Sequence, residues 1–178
     1  ETGRDTNFSA GVGAAGNYYA LIEDGSAYSF SSGEYSLTAT TTTGSTSGVE
    51  TEDNNNISSA DSLVSGSAIK GQLSSGTDKD YYKITASSAG IIAVNFDGPL
   101  NSSYDYFKIS LKDSSGNILT SQDTGSDTSF SAAVGSAGDY YVLVQDDRYY
   151  SSAEYSLTAT NFTPQAHAHS CACQLCIK

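Results

Sequence analysis

Apolar and polar residues alternate in short runs between residues 69 and 160, a period of two that is typical of β-strands with one buried face. Short strands are also expected over 69–73 and 140–144, whereas Tyr106, Lys108 and Ser110 are expected to face solvent. No run has the period of an amphipathic helix, and at most a helical turn is expected near 58–63. The expected inward-facing groups, strand by strand, are Tyr82, Ile84 and Ala86; Ile92, Val94 and Phe96; Phe107, Ile109 and Leu111; Phe130, Ala132 and Val134; and Tyr155, Leu157 and Ala159.

About eight such strands, separated by turn signals such as Ser115-Gly116-Asn117, predict an all-β fold. The expected architecture is an antiparallel β-sandwich of the jelly-roll or immunoglobulin-like kind.

A long internal repeat divides the chain. Residues 5–19 match residues 127–141, and Glu34–Thr40 is identical to Glu154–Thr160. A period of this length is a whole domain and not a solenoid unit. The repeat predicts three strands of a preceding module (5–12, 17–24 and 33–40) within residues 1–40, a Thr/Ser/Gly linker over 41–49, a complete sandwich over 50–160, and a tail over 161–178.

The first copy is an incomplete second sandwich. Three strands cannot cover their apolar face, and their edges stay unpaired. The missing strands are expected upstream in a longer chain or in another subunit, unless the copy simply ends at a processing boundary. Strand donation between subunits builds fibres, because a head-to-tail contact that does not close propagates.

The net charge of -12 repels phosphate backbones and anionic lipid heads, so neither nucleic acid nor a membrane surface is an expected partner. No stretch approaches the roughly 20 apolar residues that span a bilayer. Thirteen Tyr, 17 Gly and no Met or Trp are typical of an extracellular all-β protein. The predicted location is therefore extracellular or at the cell surface.

Catalysis is not expected. Both histidines lie in the tail, outside the predicted sandwich, whereas a Ser–His–Asp triad needs a histidine held by a rigid scaffold. The loop Arg148-Tyr149-Tyr150 offers a surface that could stack on a polysaccharide or protein ligand, or it is ordinary surface aromatic character.

Several motifs, in order and at domain spacing, resemble the bacterial pre-peptidase C-terminal domain family. The resemblance covers 50–160, and its later part recurs in 1–40. It implies a non-catalytic β-sandwich of the kind appended to secreted bacterial proteases and other exported proteins. The matching motifs are Glu50-Thr51-Glu52-Asp53-Asn54-Asn55, Gly71-Gln72-Leu73, Asp78-Lys79-Asp80-Tyr81-Tyr82-Lys83-Ile84, Ser114-Ser115-Gly116, Ala137-Gly138-Asp139-Tyr140-Tyr141 and Glu154-Tyr155-Ser156-Leu157-Thr158.

The same resemblance implies a Ca²⁺ site, because some family members bind the ion with this linker and the Asp that starts the strand. Oxygen-rich side chains of the kind that Ca²⁺ requires are present here. Thr77 stands where some members carry another Asp. The alternative is a solvated turn with an Asx cap. The residues assigned by resemblance are Glu50, Glu52, Asn54, Asn55, Asp78 and Asp80.

The tail concentrates every histidine and cysteine of the chain within ten residues. Thiolate and imidazole suit a transition metal such as Zn, Cu or Fe. Three cysteines in an exported protein equally favour a disulfide to a partner chain, and an anchoring or sorting tail is a further alternative. The candidate residues are His167, His169, Cys171, Cys173 and Cys176.

Together these observations predict a non-catalytic extracellular structural or assembly protein, as in a fibre, sheath or surface layer. Its expected partners are copies of itself, joined by strand donation or by tail cross-linking. Two alternatives remain: an accessory binding or stability domain of a secreted protease or other hydrolase, and a surface metal-binding protein that acts through its tail.

Overall fold

A computed structural model describes residues 11–12, 16–23, 33–40 and 48–164. Eleven strands and one 3₁₀ turn (Ile57–Ser59) are formed by these residues. The strands are β1 (Gly11–Val12), β2 (Thr51–Glu52), β3 (Asp61–Ser62), β4 (Ala68–Gly71), β5 (Lys79–Ala86), β6 (Gly90–Asp97), β7 (Ser102–Lys112), β8 (Ile118–Gly125), β9 (Thr128–Val134), β10 (Gly138–Asp146) and β11 (Tyr155–Phe162).

The longer strands form two facing sheets. One has the order β3-β5-β10-β7-β8 and the other the order β4-β11-β6-β9. Pairing within these two sheets is antiparallel except between β3 and β5, which are parallel. Strands β1 and β2 are also parallel and form a separate two-stranded sheet. The predicted antiparallel β-sandwich is thereby confirmed, and eight of its strands have four or more residues.

The core lies between the sheets and consists of the side chains that the alternation placed inward. Tyr82, Ile84, Ile92, Val94 and Leu157 are fully buried. Next to them Phe96, Phe107 and Tyr155 form an aromatic group, with ring centroids 5.1 to 5.9 Å apart. Two phenols, those of Tyr82 and Tyr155, thus lie in the core, and a buried phenol needs a polar partner.

The outer face of β7 is less exposed to solvent than predicted. Ser110 is buried, and Tyr106 packs against the core. The prediction that these two residues face solvent is wrong because β7 is an inner strand. Ser110 is small and lies between Leu143 of β10 and Ser121 of β8.

Of the three strands predicted within residues 1–40, the first (5–12) lies outside the described residues except for 11–12, and the other two are not formed in the residues that are described. Only Gly11–Val12 is a strand, while 16–23 and 33–40 have no regular secondary structure. The physical reason is that the described residues offer no second sheet on which Leu21, Tyr35 and Leu37 could be buried, and all three are exposed. The assignment of this segment to a preceding module stays a prediction.

No helix in the part of the chain that the structure describes is long and apolar enough to cross a bilayer.

Candidate metal centre

The segment leading into β2 carries the first carboxylate of the centre. Glu50 N donates to Lys70 O at 2.9 Å, and Lys70 N donates to Gly48 O at 2.9 Å, so this segment runs beside β4. The side chain of Glu50 is buried, whereas that of Glu52 is exposed. The chain thus brings one carboxylate into the sandwich and leaves a second at its surface.

The third carboxylate comes from the start of β5. In this strand Asp80, Tyr82, Ile84 and Ala86 point inward, so Asp80 occupies a core position and is fully buried. One carboxylate oxygen from each of Glu50, Glu52 and Asp80 lies within 4.8 Å of the other two. Among the described residues, this is the one group of three or more acidic, His or Cys side chains with such spacing.

Two phenols connect the buried carboxylates across the two sheets. The Tyr82 hydroxyl oxygen lies 2.6 Å from Glu50 Oε2 and 2.7 Å from the Tyr155 hydroxyl oxygen, which in turn contacts Asp80 Oδ2. Gln72 N donates to Glu50 Oε1 at 2.5 Å. The three links between these four side chains need three protons, and the phenols supply only two. The third must be a carboxyl proton.

The electrostatics of the centre agree with that count. Burial is the main cause that raises the pKa of Asp80, and the charge of Glu50 raises it further. Burial likewise raises the pKa of Glu50. Glu52 is exposed as a residue, but partial desolvation of its carboxyl raises the pKa of that group, and the charge of Asp78 raises it further. Without a cation, the centre therefore holds protons at a pH where isolated carboxylates have lost them.

Other predicted residues hold the surrounding loops. Asn55 Oδ1 accepts from Lys79 N at 3.0 Å, and the two carboxylate oxygens of Asp78 accept from Ser74 N at 2.6 Å and Lys79 N at 2.9 Å. The structure therefore places Asp78 and Asn55 beside the centre, with side-chain oxygens already bonded to backbone. Their role is to fix the approach to β5.

Four buried side-chain oxygens have no hydrogen-bond partner among the described residues: Asn54 Oδ1, Asp80 Oδ1, Asp146 Oδ1 and Asp147 Oδ2. Of these, Asp80 Oδ1 belongs to the group of three carboxylates. The amide nitrogen of Asn54 is held by Asp61 Oδ2 at 3.2 Å, which fixes the orientation of the side chain. A buried polar atom without a partner is costly. Carboxylate oxygens are hard ligands of the kind that Ca²⁺ takes, so the three carboxylates of Glu50, Glu52 and Asp80 fit this ion.

Gly71 of β4 leaves the space that the centre occupies. A Cβ at this position would lie 2.5 Å from the Tyr155 hydroxyl oxygen and 2.6 Å from Glu50 Oε2. Both distances are shorter than any ordinary contact. Only glycine therefore allows the carboxylate and the phenols to meet here.

The sequence did not reveal four contributors: Gly71, Tyr82, Tyr155 and Asp61. A signal existed for the two tyrosines, because each begins an otherwise apolar inward stripe and a buried phenol needs a polar partner. Asp61 accepts from Thr51 N at 2.7 Å, and nothing in its surroundings in the sequence indicates that contact.

The remaining candidates lie elsewhere. The tail residues His167, His169, Cys171, Cys173 and Cys176 are outside the described residues. In the aromatic loop, Tyr149 contacts Tyr104 and Tyr106, with ring centroids 5.3 and 5.7 Å apart. Tyr104 and Tyr149 are exposed, whereas Tyr106 is partly buried.

Comparison with known proteins finds no matching family model and no matching curated protein. Among solved structures, the pre-peptidase C-terminal domain of a collagenase from Bacillus anthracis is similar over 57% of this chain and 94% of that domain, with 23% identity and a TM-score of 0.46. PliG from Aeromonas hydrophila, a periplasmic inhibitor of g-type lysozyme, is similar over 57% of this chain and 96% of its own, with 17% identity and a TM-score of 0.45.

Proposed function

We propose that this chain contains a non-catalytic Ca²⁺-binding β-sandwich that serves an exported bacterial protein as an accessory or structural module. The observation that carries the proposal is the meeting of Glu50, Glu52 and Asp80 within 4.8 Å at one end of the core. Asp80 Oδ1, which is buried and has no hydrogen-bond partner among the described residues, is available to such an ion.

The role of the ion is structural. Its ligands come from the segment that leads into the sandwich and from the inner strand β5, so the ion joins the two. A cation there offsets the mutual repulsion of the carboxylates and replaces the protons that they otherwise retain. Binding energy that is available only to the folded state adds directly to its stability.

The burial of the site supports a small ion over an organic substrate. Glu50 and Asp80 are closed off by the phenols and by Gly71, which leaves Glu52 as the exposed member. Both histidines and all three cysteines lie in 167–176, so no imidazole or thiol of the sandwich is available as a base or nucleophile. The non-enzymatic proposal rests on these two features.

The motifs that resemble the pre-peptidase C-terminal domain family support export and an accessory role. A more specific proposal is that the protein is a subunit of a fibre, sheath or surface layer and that the tail joins the subunits. This proposal predicts that the purified protein forms polymers and that reduction or chelation disperses them. A stable monomer under all conditions would contradict this more specific proposal and leave the accessory module.

Thermal unfolding of the full chain, with and without calcium, tests the ion site. Calcium at 100 times its dissociation constant should stabilise the fold by about 2.7 kcal/mol. The variant Glu52→Gln should lose most of this gain, because it removes a ligand charge without disturbing the core. The matched control is Asp139→Asn, which removes one charge at the far end of β5 and β10. An unchanged melting temperature in saturating calcium would contradict the site.

A further inference from the structure

Two exposed segments that precede the sandwich repeat the sequence of two of its strands. Residues 16–23 correspond to 138–145 of β10, and residues 33–40 correspond to 153–160, most of which form β11. The duplicated residues differ sharply in exposure. Leu21, Tyr35 and Leu37 are 80, 69 and 53% exposed, whereas their counterparts Leu143, Tyr155 and Leu157 are 3, 1 and 0% exposed.

We propose that residues 16–23 and 33–40 are an alternative closing pair of strands that can take the place of β10 and β11 in the sandwich of the same molecule. The surface that would receive them is the one that β10 and β11 now cover. It is made by β5 and β7 in one sheet and by β4 and β6 in the other. This inference goes beyond the proposed function and does not depend on calcium.

The chemistry of the second pair fits this place. Glu34–Thr40 repeats Glu154–Thr160 residue for residue, so Leu37 and Ala39 would fill the positions of Leu157 and Ala159. Tyr35 would present its phenol to Asp80 as Tyr155 does now. In the other strand Ile22 replaces Val144 with one extra methylene, and Leu21 repeats Leu143.

The connections also fit. Thr158 lies level with Ala68, and Val49 lies level with Lys70 on the other side of β4. Two strand spacings across and three residues along place the Thr160 position about 14 Å from Gly48. The seven residues 41–47 between Thr40 and Gly48 reach about 25 Å when extended. A strand in the β11 position could therefore be linked to the start of the same sandwich.

One difference explains why the C-terminal pair occupies the sandwich. Val142 is fully buried in β10, and its counterpart is Ala20. The smaller side chain would leave a cavity between the sheets, which disfavours the alternative pair. The loop between the strands is two residues longer in the first copy, so both strands can still keep their register together.

Hydrogen exchange on the full chain and its variants tests the proposal. In the unaltered chain, amides of 155–160, which lie in β11, should be protected, and those of 35–40 should exchange freely. Leu157→Asp puts a carboxylate into the core and should reverse this pattern, slowing exchange at 35–40 by roughly 100-fold or more in a monomer. Leu37→Asp alone should behave as the unaltered chain, and the double variant L37D/L157D should protect neither segment.

A second variant guards against a simple failure to fold. Ala20→Val restores the missing core volume, so A20V/L157D should fold with 35–40 protected even if L157D does not. Fast exchange at 35–40 in both L157D and A20V/L157D would overturn the proposal. Protection that appears only in a dimer would overturn its same-molecule form.

Discussion

At the scale of single residues, Asp80 is the position where the fold and the proposed ion meet. It continues the inward stripe of Tyr82, Ile84 and Ala86, and one of its oxygens is buried without a partner. A carboxylate in a core position destabilises a metal-free protein once it is charged. When a cation binds, the Asp80 carboxylate becomes its ligand. The loss of stability caused by burying this charge is therefore confined to the metal-free protein.

This cost should appear as a dependence of stability on pH. Because burial raises the folded-state pKa values of Glu50 and Asp80, the folded state binds more protons than the unfolded state above about pH 4. The stability that these two protonated carboxyls contribute to the folded state is therefore fully present at low pH. It is lost as pH rises toward their raised folded-state pKa values. Metal-free protein should have a lower free energy of unfolding at pH 8 than at pH 5, measured by urea titration.

The control for the pH prediction is the double variant E50Q/D80N, in which the groups that titrate have been removed. Its stability should change less between pH 5 and pH 8 than that of the unaltered chain. Saturating calcium should also flatten the profile, because the ion replaces the protons. Equal slopes in the variant and the unaltered chain would assign the pH dependence to other groups.

Gly71→Ala should destabilise the protein and remove calcium binding together. The added Cβ would lie 2.6 Å from Glu50 Oε2, so the carboxylate or the strand must move. Overpacking of this kind costs about 1–3 kcal/mol. Chemical denaturation and calcium titration measure the two effects. The matched control is Gly135→Ala, which meets nothing within 4 Å and should change neither quantity; an equally stable, calcium-binding G71A would refute the close approach.

Only part of the centre could be predicted from the sequence. The resemblance assigned Glu50, Glu52 and Asp80, and the structure brings these together. It could not reveal that Tyr155 reaches Asp80, because the two residues lie 75 positions apart in opposite sheets. The separate roles of Asp78 and Asn55 also depend on loop geometry that no local pattern encodes.

At the scale of elements, the turn between β7 and β8 shows how local chemistry sets a hairpin. Asp113 Oδ1 accepts from Ser115 N and Asn117 N, both at 2.9 Å. Gly116 has a φ of +84°, a conformation that residues with a Cβ rarely adopt. The turn predicted at Ser115-Gly116-Asn117 is confirmed.

Gly116→Ala should therefore cost about 1–2 kcal/mol of stability, since the left-handed conformation is strained for alanine. Gly116→Asn should cost less, because asparagine tolerates this region better than most residues. Urea denaturation of the two variants measures the difference. Equal losses would mean that contact with the side chain of Ile57, and not backbone strain, sets the cost.

The alternation of residues predicted the inward faces of the strands because burial on one side of a sheet imposes a period of two. The alternation gave wrong predictions where neighbouring strands determine how exposed a residue is. Ser110 is buried by its place between two strands, and Leu37 is exposed although its local pattern is identical to that of Leu157. A strand pattern predicts which face is apolar. Whether that face is buried depends on whether another part of the molecule packs against it.

At the scale of the whole molecule, the net charge of -12 comes from 20 acidic and only eight basic side chains. Charge of one sign destabilises a compact state through self-repulsion, and added salt screens it. Metal-free protein at pH 8 should therefore gain melting temperature as NaCl rises from 20 to roughly 300 mM, across the range where the Debye length shortens most. A melting temperature that falls with salt would show that ion pairs outweigh repulsion.

Terbium luminescence tests the central claim most directly, because Tb³⁺ takes oxygen ligands as Ca²⁺ does and the phenols of Tyr82 and Tyr155 contact the carboxylates that would bind it. Excitation of tyrosine should give terbium emission that saturates at one ion per chain. Calcium should displace this emission, Glu52→Gln should weaken it, and Asp139→Asn should leave it unchanged. Emission that is absent, or that calcium does not displace, would contradict a calcium centre built from Glu50, Glu52 and Asp80.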